Sequence, residues 1–399
     1  MPMTGSSSRN VWLLSLCQAL LLMNAVTLIS MSALAGYALA GNKALSTLPN
    51  MTYVVGAAIA TFPASMWMKR VGRRNGFLTG GALGLAGSVL ATLAMATSSL
   101  ALLCAGTALL GAYNAFGQYY RFAAADASPM EFKAKAISFV LAGGLIGGVV
   151  GPEISKHTRT WMQPEFFASY ASLFVYSLAA MAVVARLRLP EAAADASHEP
   201  ARPLGEIVSQ PTFMVAAGVA ALGYAVMNLL MTATPLAMGF CGHPYTAAAT
   251  VIASHVVGMF GPSFFTGSLI RRFGVLQVML AGVALMCACV GVALSGQEVV
   301  NFWWALVLLG IGWNFMYIGG STLLTEAYRP SERAKAQGVN EMTIFAVQAI
   351  SALSSGVLVN TRGWNTLNYV ALPAILLAGA AAAWLARKRG FRRPKMASG

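Results

Sequence analysis

Asn114 and Gln118 stand four residues apart, and Asn314 and Tyr317 three apart, so on helices the members of each pair share a face. Carboxamides and a phenol in apolar sequence do one of two things. They hold a neutral polar solute by hydrogen bonds, or they bond one helix to another at roughly 1 kcal/mol per contact. Ionisable groups in the same apolar sequence are scarce, and each costs roughly 2.5–3.5 kcal/mol at mid-helix. Arg121 can snorkel to the nearer membrane surface or pair with Asp126 or Glu341. Glu341 is the deepest carboxylate, His255 carries an imidazole able to take up and release a proton, and Glu153 follows Pro152 near a helix end. These three are the candidates for proton coupling. A hydrogen-bonded packing histidine and a solvated end charge are the simpler readings of His255 and Glu153. The other histidines, His157, His198 and His243, fall between apolar runs, and Cys17, Cys104, Cys241, Cys287 and Cys289 are scattered. Neither a metal site, a catalytic cluster nor a disulfide framework is expected, so the chain does not read as an enzyme and needs no cofactor. It also lacks a glycine-rich phosphate loop ending in Lys-Ser or Lys-Thr, which argues against nucleotide-driven pumping.

The elements that must hold these groups are membrane spans. Hydrophobic residues make up 57% of the chain and charged ones 10%, against about 45–50% and about 25% in soluble domains. Twelve runs reach the roughly 20 apolar residues that a spanning helix needs: 11–38, 49–68, 76–96, 99–125, 134–156, 166–186, 211–238, 246–270, 276–295, 301–325, 335–358 and 366–386. Small residues such as Gly80, Gly81, Gly84 and Gly87 permit close helix contact. With the N-terminus in the cytoplasm, 22 Lys and Arg residues fall on the cytoplasmic side and 4 on the other. That division predicts a multi-pass inner-membrane protein with both termini cytoplasmic. The net charge of +14 therefore reads as orientation in a lipid bilayer, and no nucleic-acid partner is expected. Met1 to Asn10 is short and polar and the run after it is too long for a signal core, so no cleavable signal is expected.

The chain repeats itself. Val54-Val55-Gly56 leads through an apolar run to Lys69-Arg70-Val71-Gly72, and 202 residues later Val256-Val257-Gly258 leads to Arg271-Arg272-Phe273-Gly274. At an offset of 200, Asn114 meets Asn314, Asp126 meets Glu326, and Lys133-Ala134-Lys135-Ala136 meets Arg333-Ala334-Lys335-Ala336. Two homologous halves follow: a six-helix bundle over 1–186, a polar linker over 187–210, and a second bundle over 211–399 that ends in a basic tail. The expected fold is an all-α membrane protein of twelve transmembrane helices in two pseudo-twofold-related six-helix bundles.

The basic hinge resembles the signature of the major facilitator superfamily of secondary transporters between helices 2 and 3. There a Gly is followed after three residues by Asp, a basic residue, any residue, Gly and two basic residues. Ser65 stands for the first Gly and Lys69 for the Asp, and Arg70, Gly72, Arg73 and Arg74 match. In the second copy Gly267, Arg272 and Gly274 match, with Arg271 in the acidic place. The family's Asp is thought to latch one state, so here the gating set is Lys69, Arg70, Arg73, Arg74, Arg121, Asp126, Arg271, Arg272 and Glu326, with Asp126, Glu326, Glu332 or Glu341 able to pair in reverse with Lys69 or Arg271. The simpler reading is that the hinge cations only obey the positive-inside rule. A helix-5 glycine pattern common in drug–proton antiporters is partly matched by Gly147, Gly151 and Pro152, while the antiporters' helix-4 Arg is replaced by Thr107.

The resemblance implies that helices 1, 4, 7 and 10 line a central cavity. Their polar and aromatic residues then give the substrate set: Asn24, Asn114, Gln118, Tyr224, Asn228, Trp313, Asn314 and Tyr317. As repeat mates, Asn114 and Asn314 are expected to meet at its centre. The aromatics suit a flat, mostly neutral solute. The expected function is alternating-access transport of a small organic solute, with uptake favoured because the antiporter marks are incomplete. Flavin or riboflavin uptake and proton-coupled drug or metabolite efflux are the alternatives. Partners are the solute, the bilayer and, if coupled, protons, and a monomer is expected.

Overall fold

The computed structural model describes residues 5–41, 45, 48–189 and 201–390. Lys43, the linker stretch 190–200 and the tail residues Arg392, Arg393 and Lys395 lie outside the described residues.

Apolar runs that leave no backbone group free for lipid must be helical, and every regular element among the described residues is a helix. The first half folds as α1 (Gly5–Leu39), α2 (Leu48–Val71), α3 (Arg73–Ala96), α4 (Leu100–Gly117), α5 (Tyr120–Asp126), α6 (Lys133–Thr158) and α7 (Phe167–Ala185). After the short α8 (Leu204–Val208), the second half folds as α9 (Pro211–Phe240), α10 (Tyr245–Phe260), α11 (Ser263–Phe273), α12 (Val275–Ser295), α13 (Val299–Leu324) and α14 (Arg333–Lys388).

Ten helices among the described residues are individually long and apolar enough to cross a membrane, and α10 with α11, bent by 41°, makes an eleventh. Gly363, at φ 77°, breaks the 56-residue α14 into two helices, 333–362 and 364–388, so the expected eleventh and twelfth runs, 335–358 and 366–386, fall on separate helices. Large apolar side chains such as Ile59, Val357, Leu376 and Leu377 stand well exposed on the outer helix faces, as contact with lipid chains requires. Two expected spans are broken. The run 99–125 is interrupted between α4 and α5, and 246–270 between α10 and α11, where Pro262 removes a backbone donor.

The chain forms two compact units. The first comprises Met1–Pro129, Gly143–Glu199 and Gln337–Met342, and the second Met130–Ala142, Pro200–Ala336 and Thr343–Gly399. In the first, α4 packs along α2 and α3, and α7 along α1 and α3. In the second, α13 packs along α10 and α12 and also along α9. The fourth span of each half is thus gripped by that half's second and third. These contacts are backbone-close. A Cβ on Gly56 would fall 2.2 Å from the Ala108 carbonyl oxygen, and one on its repeat mate Gly258 would fall 2.9 Å from that of Val307.

The basic hinge is a turn that glycine alone takes easily. Gly72 sits at φ 83° between α2 and α3, and Gly274 at φ 97° between α11 and α12. Just before it, each unit contains a tight crossing. In the second unit a Cβ on Gly267 would lie 2.6 Å from Lys135 Cα, and the Gly267 N–H donates to Ser138 Oγ at 3.0 Å. In the first unit the places are exchanged: Ser65 faces Gly338, where a Cβ would lie 3.3 Å from Ser65 Cβ and 2.9 Å from the Phe62 ring. Ser65 is the repeat mate of Gly267, and Ser138 that of Gly338. Each crossing has one serine and one glycine, which explains why the hinge signature opens with Ser in one copy and Gly in the other.

Candidate solute and coupling site

In the first unit a continuous polar chain runs from half-buried amides to a fully buried ion pair. Gln118 Nε2 donates to Asn114 Oδ1 at 3.3 Å, one helical turn apart as the spacing predicts. The same glutamine closes α4, and its main-chain and side-chain oxygens both accept from Arg121 Nη1, at 2.8 and 3.3 Å. Arg121 Nη2 then pairs with Glu341 Oε1 at 2.5 Å, and the Asn340 amide donates to that oxygen at 2.7 Å. The two side chains of the pair are 2% and 1% exposed. Arg121 does not snorkel; its guanidinium also lies over the Phe122 ring, 4.5 Å from the centroid. Of the two carboxylates offered by the sequence, it takes Glu341.

Asp126 pairs instead with Arg73 at 3.2 Å, and Arg73 Nη2 also donates to Gln337 Oε1 while its guanidinium lies 5.7 Å from the Tyr119 ring centroid. Glu326 accepts from Arg389 at 2.8 Å, and Glu332 binds Arg202 through both carboxylate oxygens. The cations seen beside these acids are thus Arg73, Arg389 and Arg202, with Arg121 beside Glu341. Lys69, Arg70, Arg74, Arg271 and Arg272 are all exposed, and Arg271 and Arg272 lie over the rings of Phe132 and Phe273. The sequence could not reveal these partners because each acid had several cations within reach of its helix end.

The Arg202 guanidinium holds the Glu332 carboxyl well down, at about 2, and the Arg329 N–H adds to this. Glu332 is wholly buried, so the main-chain N–H and the fork of Arg202 complete its hydrogen bonding.

The second unit holds an aromatic cluster. Trp313 and Tyr317 stack with centroids 4.8 Å apart at 18°, and Tyr224 meets both edge-on at 5.4 and 5.5 Å. Phe260 closes on Trp313 from α10 at 5.8 Å. The buried Trp313 indole N–H has no hydrogen-bond partner among the described residues, so it is a donor left unused by the protein itself.

Asn314, adjacent to the cluster, is spent on its own unit. Its amide donates to Met259 O and Ser263 Oγ at 2.6 Å each, its oxygen accepts from Thr266 at 2.7 Å, and it has no exposed surface. It ties α13 to the α10–α11 break. Asn24 donates to Leu173 O and Ser177 Oγ, and Asn228 to Gln348 O, so both are also interhelical bonds. Asn114 and Gln118 alone among the amides of the expected substrate set are only half-buried.

Of the coupling candidates, His255 is completely buried, with Nδ1 2.7 Å from Leu306 O. A carbonyl requires a donor, so the proton belongs on Nδ1 and leaves the Nε2 lone pair unpartnered among the described residues. Glu153 is 61% exposed beside His157 at 3.8 Å, a solvated helix-end pair. No cluster of His, Cys, Asp and Glu able to hold a metal occurs among the described residues.

These features sit on a widely shared backbone. The Escherichia coli fucose:proton symporter FucP superposes with a TM-score of 0.76 at 17% identity, over 96% of this chain and 98% of that one. A bacterial homologue of the iron transporter ferroportin in an outward-facing state gives 0.73 at 15% identity, over 95% and 99%. In sequence, the chain is 40% identical to the riboflavin transporter RfnT of Brucella anthropi over 375 residues, 93% of this chain and 94% of that protein. It is 28% identical to the uncharacterised MFS-type transporter YddS of Bacillus subtilis over 85% and 82%. The pattern of the Major Facilitator Superfamily matches residues 12–317 and again 242–397. With that pattern covering both halves, and a relative of this identity aligned almost end to end, the chain belongs to the Major Facilitator Superfamily and is a transporter of that type.

Proposed function

We propose that this transporter carries riboflavin, or a flavin closely similar to it, inward across the bacterial inner membrane by alternating access. The observation that carries the reading is the 40% identity to a riboflavin transporter over 93% of the chain. The chemistry of the site residues supports it. A flavin offers a flat ring for aromatic stacking and a polar edge and side chain for hydrogen bonds. The Tyr224, Trp313 and Tyr317 cluster, with its free indole donor, suits the ring, and Asn114 with Gln118 suits the polar groups. Asn24, Asn228 and Asn314 act by holding helices in place.

The 22-to-4 division of Lys and Arg supports cytoplasmic termini. Residues 1–186 and 211–399 form the two bundles joined by 187–210, and the protein is a monomer. Proton-coupled efflux is less well supported: Thr107, in the place of the antiporter Arg, makes a 2.7 Å hydroxyl contact with Thr52 instead.

The test is reconstitution into liposomes with labelled riboflavin, with and without an imposed pH gradient. Saturable riboflavin influx supports the reading, and its absence, together with failure to rescue a riboflavin-requiring strain at limiting supply, rejects it. Influx indifferent to the gradient rejects proton coupling. Trp313→Ala and Asn114→Ala are expected to abolish or strongly weaken influx, and wild-type flux in both rejects the assigned residues.

A further inference from the structure

In the first unit, the start of α1, the start of α3 and the end of α7 enclose a recess of about 380 Å³. Its walls carry four arginines, Arg9, Arg74, Arg186 and Arg188, over a floor that includes Leu13 and Leu187. Arg9 reaches the Arg186 carbonyl at 3.5 Å and Arg74 the Ala185 carbonyl at 2.6 Å. No carboxylate pairs with any of the four among the described residues. The wall is built rather than loose: the buried Asn10 donates to the Arg188 carbonyl at 2.8 Å and accepts the Arg188 N–H at 3.2 Å.

The second unit treats the equivalent charges differently. There Arg389, following the last span as Arg188 follows the sixth, is neutralised by Glu326 and also donates to Thr212. In the first unit Asp126, the repeat mate of Glu326, is engaged by Arg73. Four guanidiniums around one small recess repel one another unless an anion joins them.

The recess lies at the ends of membrane-spanning helices, the level at which lipid headgroups meet a spanning protein. It is bounded by the ends of three spans, and Trp12, beside Leu13, is 67% exposed, an aromatic of the kind that settles at the membrane–water boundary. We propose that this recess is a binding site for the phosphate headgroup of an anionic membrane phospholipid. Forked guanidiniums match phosphate oxygens in pairs, so four of them suit a two-phosphate headgroup such as diphosphatidylglycerol better than a single phosphate.

The test is native mass spectrometry of the full-length protein in detergent, titrated with diphosphatidylglycerol, phosphatidylglycerol or phosphatidylcholine, and separately with inorganic phosphate. Diphosphatidylglycerol is expected to bind at least tenfold more tightly than phosphatidylcholine. The double variant Arg9→Gln, Arg188→Gln is expected to lose about 10- to 30-fold of that affinity, at about 1 kcal/mol per arginine. The equal charge loss Arg387→Gln, Lys388→Gln is expected to change it little. The wild-type comparison between lipid classes stands whether or not a variant folds. Equal binding of all lipids overturns the proposal, and so does an equal loss in both double variants. Inorganic phosphate that displaces the lipid completely at micromolar concentration overturns it in favour of a soluble-anion site. Lipid selectivity that emerges only after Glu191, Asp195 and Glu199 of the linker are changed to amides overturns it in favour of occupation by the chain itself.

Discussion

The buried pair between Arg121 and Glu341 can be asked whether it serves stability or transport. Its side chains are 2% and 1% exposed, so water cannot compensate either charge when the other is removed. Breaking such a pair from one side costs about 3–5 kcal/mol, whereas replacing both members with apolar residues of similar size is commonly neutral or stabilising by about 1–4 kcal/mol. Glu341→Gln keeps the shape and an oxygen that can accept from both Asn340 and Arg121, but removes the negative charge that compensates the buried guanidinium. At about 2–4 °C per kcal/mol for units of this size, its midpoint in a thermal unfolding scan in detergent should fall by about 6–20 °C. Arg121→Met with Glu341→Leu should recover most of that loss. If the pair serves transport, influx of the proposed flavin is impaired in the double variant as well, because the polar chain from Asn114 through Gln118 then ends in hydrocarbon. A Glu341→Gln variant within about 1 kcal/mol of wild type refutes the reasoning about burial. A double variant that transports normally shows the pair to be structural only.

The serine–glycine crossings make a second cycle: Gly338→Ser should cost about 1–3 kcal/mol by overpacking against Phe62 and Ser65, and adding Ser65→Gly should recover much of it. Additive losses in unfolding scans would show that the two residues do not share the space. Gly267→Ala should be worse than Gly338→Ala, since its Cβ meets backbone at 2.6 Å rather than a ring that can turn. Gly274→Ala, at φ 97°, should destabilise by about 1–2 kcal/mol. Because the Glu332 carboxyl is held at about 2 against an ordinary 4.5, its stabilisation is fully present above about pH 4.5 and is lost as pH falls towards 2. Arg202→Ala should therefore unfold earlier than wild type at pH 6, with the gap closing between pH 4.5 and 2; a gap constant across that range contradicts the pairing.

The spans, the duplication and the glycine turns were legible because each leaves a local mark: twenty apolar residues, a repeated hinge, a glycine where the chain reverses. The pairing of Arg121 was legible only as a choice, since Asp126 is close in sequence and Glu341 lies 220 residues away. Asn314, expected at the solute, bonds Met259, Ser263 and Thr266 within its own unit. Its amide looks the same in sequence whether it meets a ligand or a neighbouring helix. The break at Pro262 had a visible signal, the Gly261-Pro262 step, that the hydropathy of the surrounding run concealed. Stacking of Trp313 on Tyr317 follows from neither hydropathy nor the repeat, because their spacing of four fits core packing equally well.

The membership of Gln337–Met342 in the first unit bears on how the protein is made. Translation delivers Arg121 long before its counter-ion, with 220 residues separating the two. Until then the guanidinium must stay near the lipid surface or hold a provisional partner, and Asp126 is the acid at hand. The first unit therefore cannot reach its final form on the ribosome ahead of the second, and a gene cut between the halves would leave each product short of a piece: the N-terminal product without 337–342, the C-terminal one without 130–142.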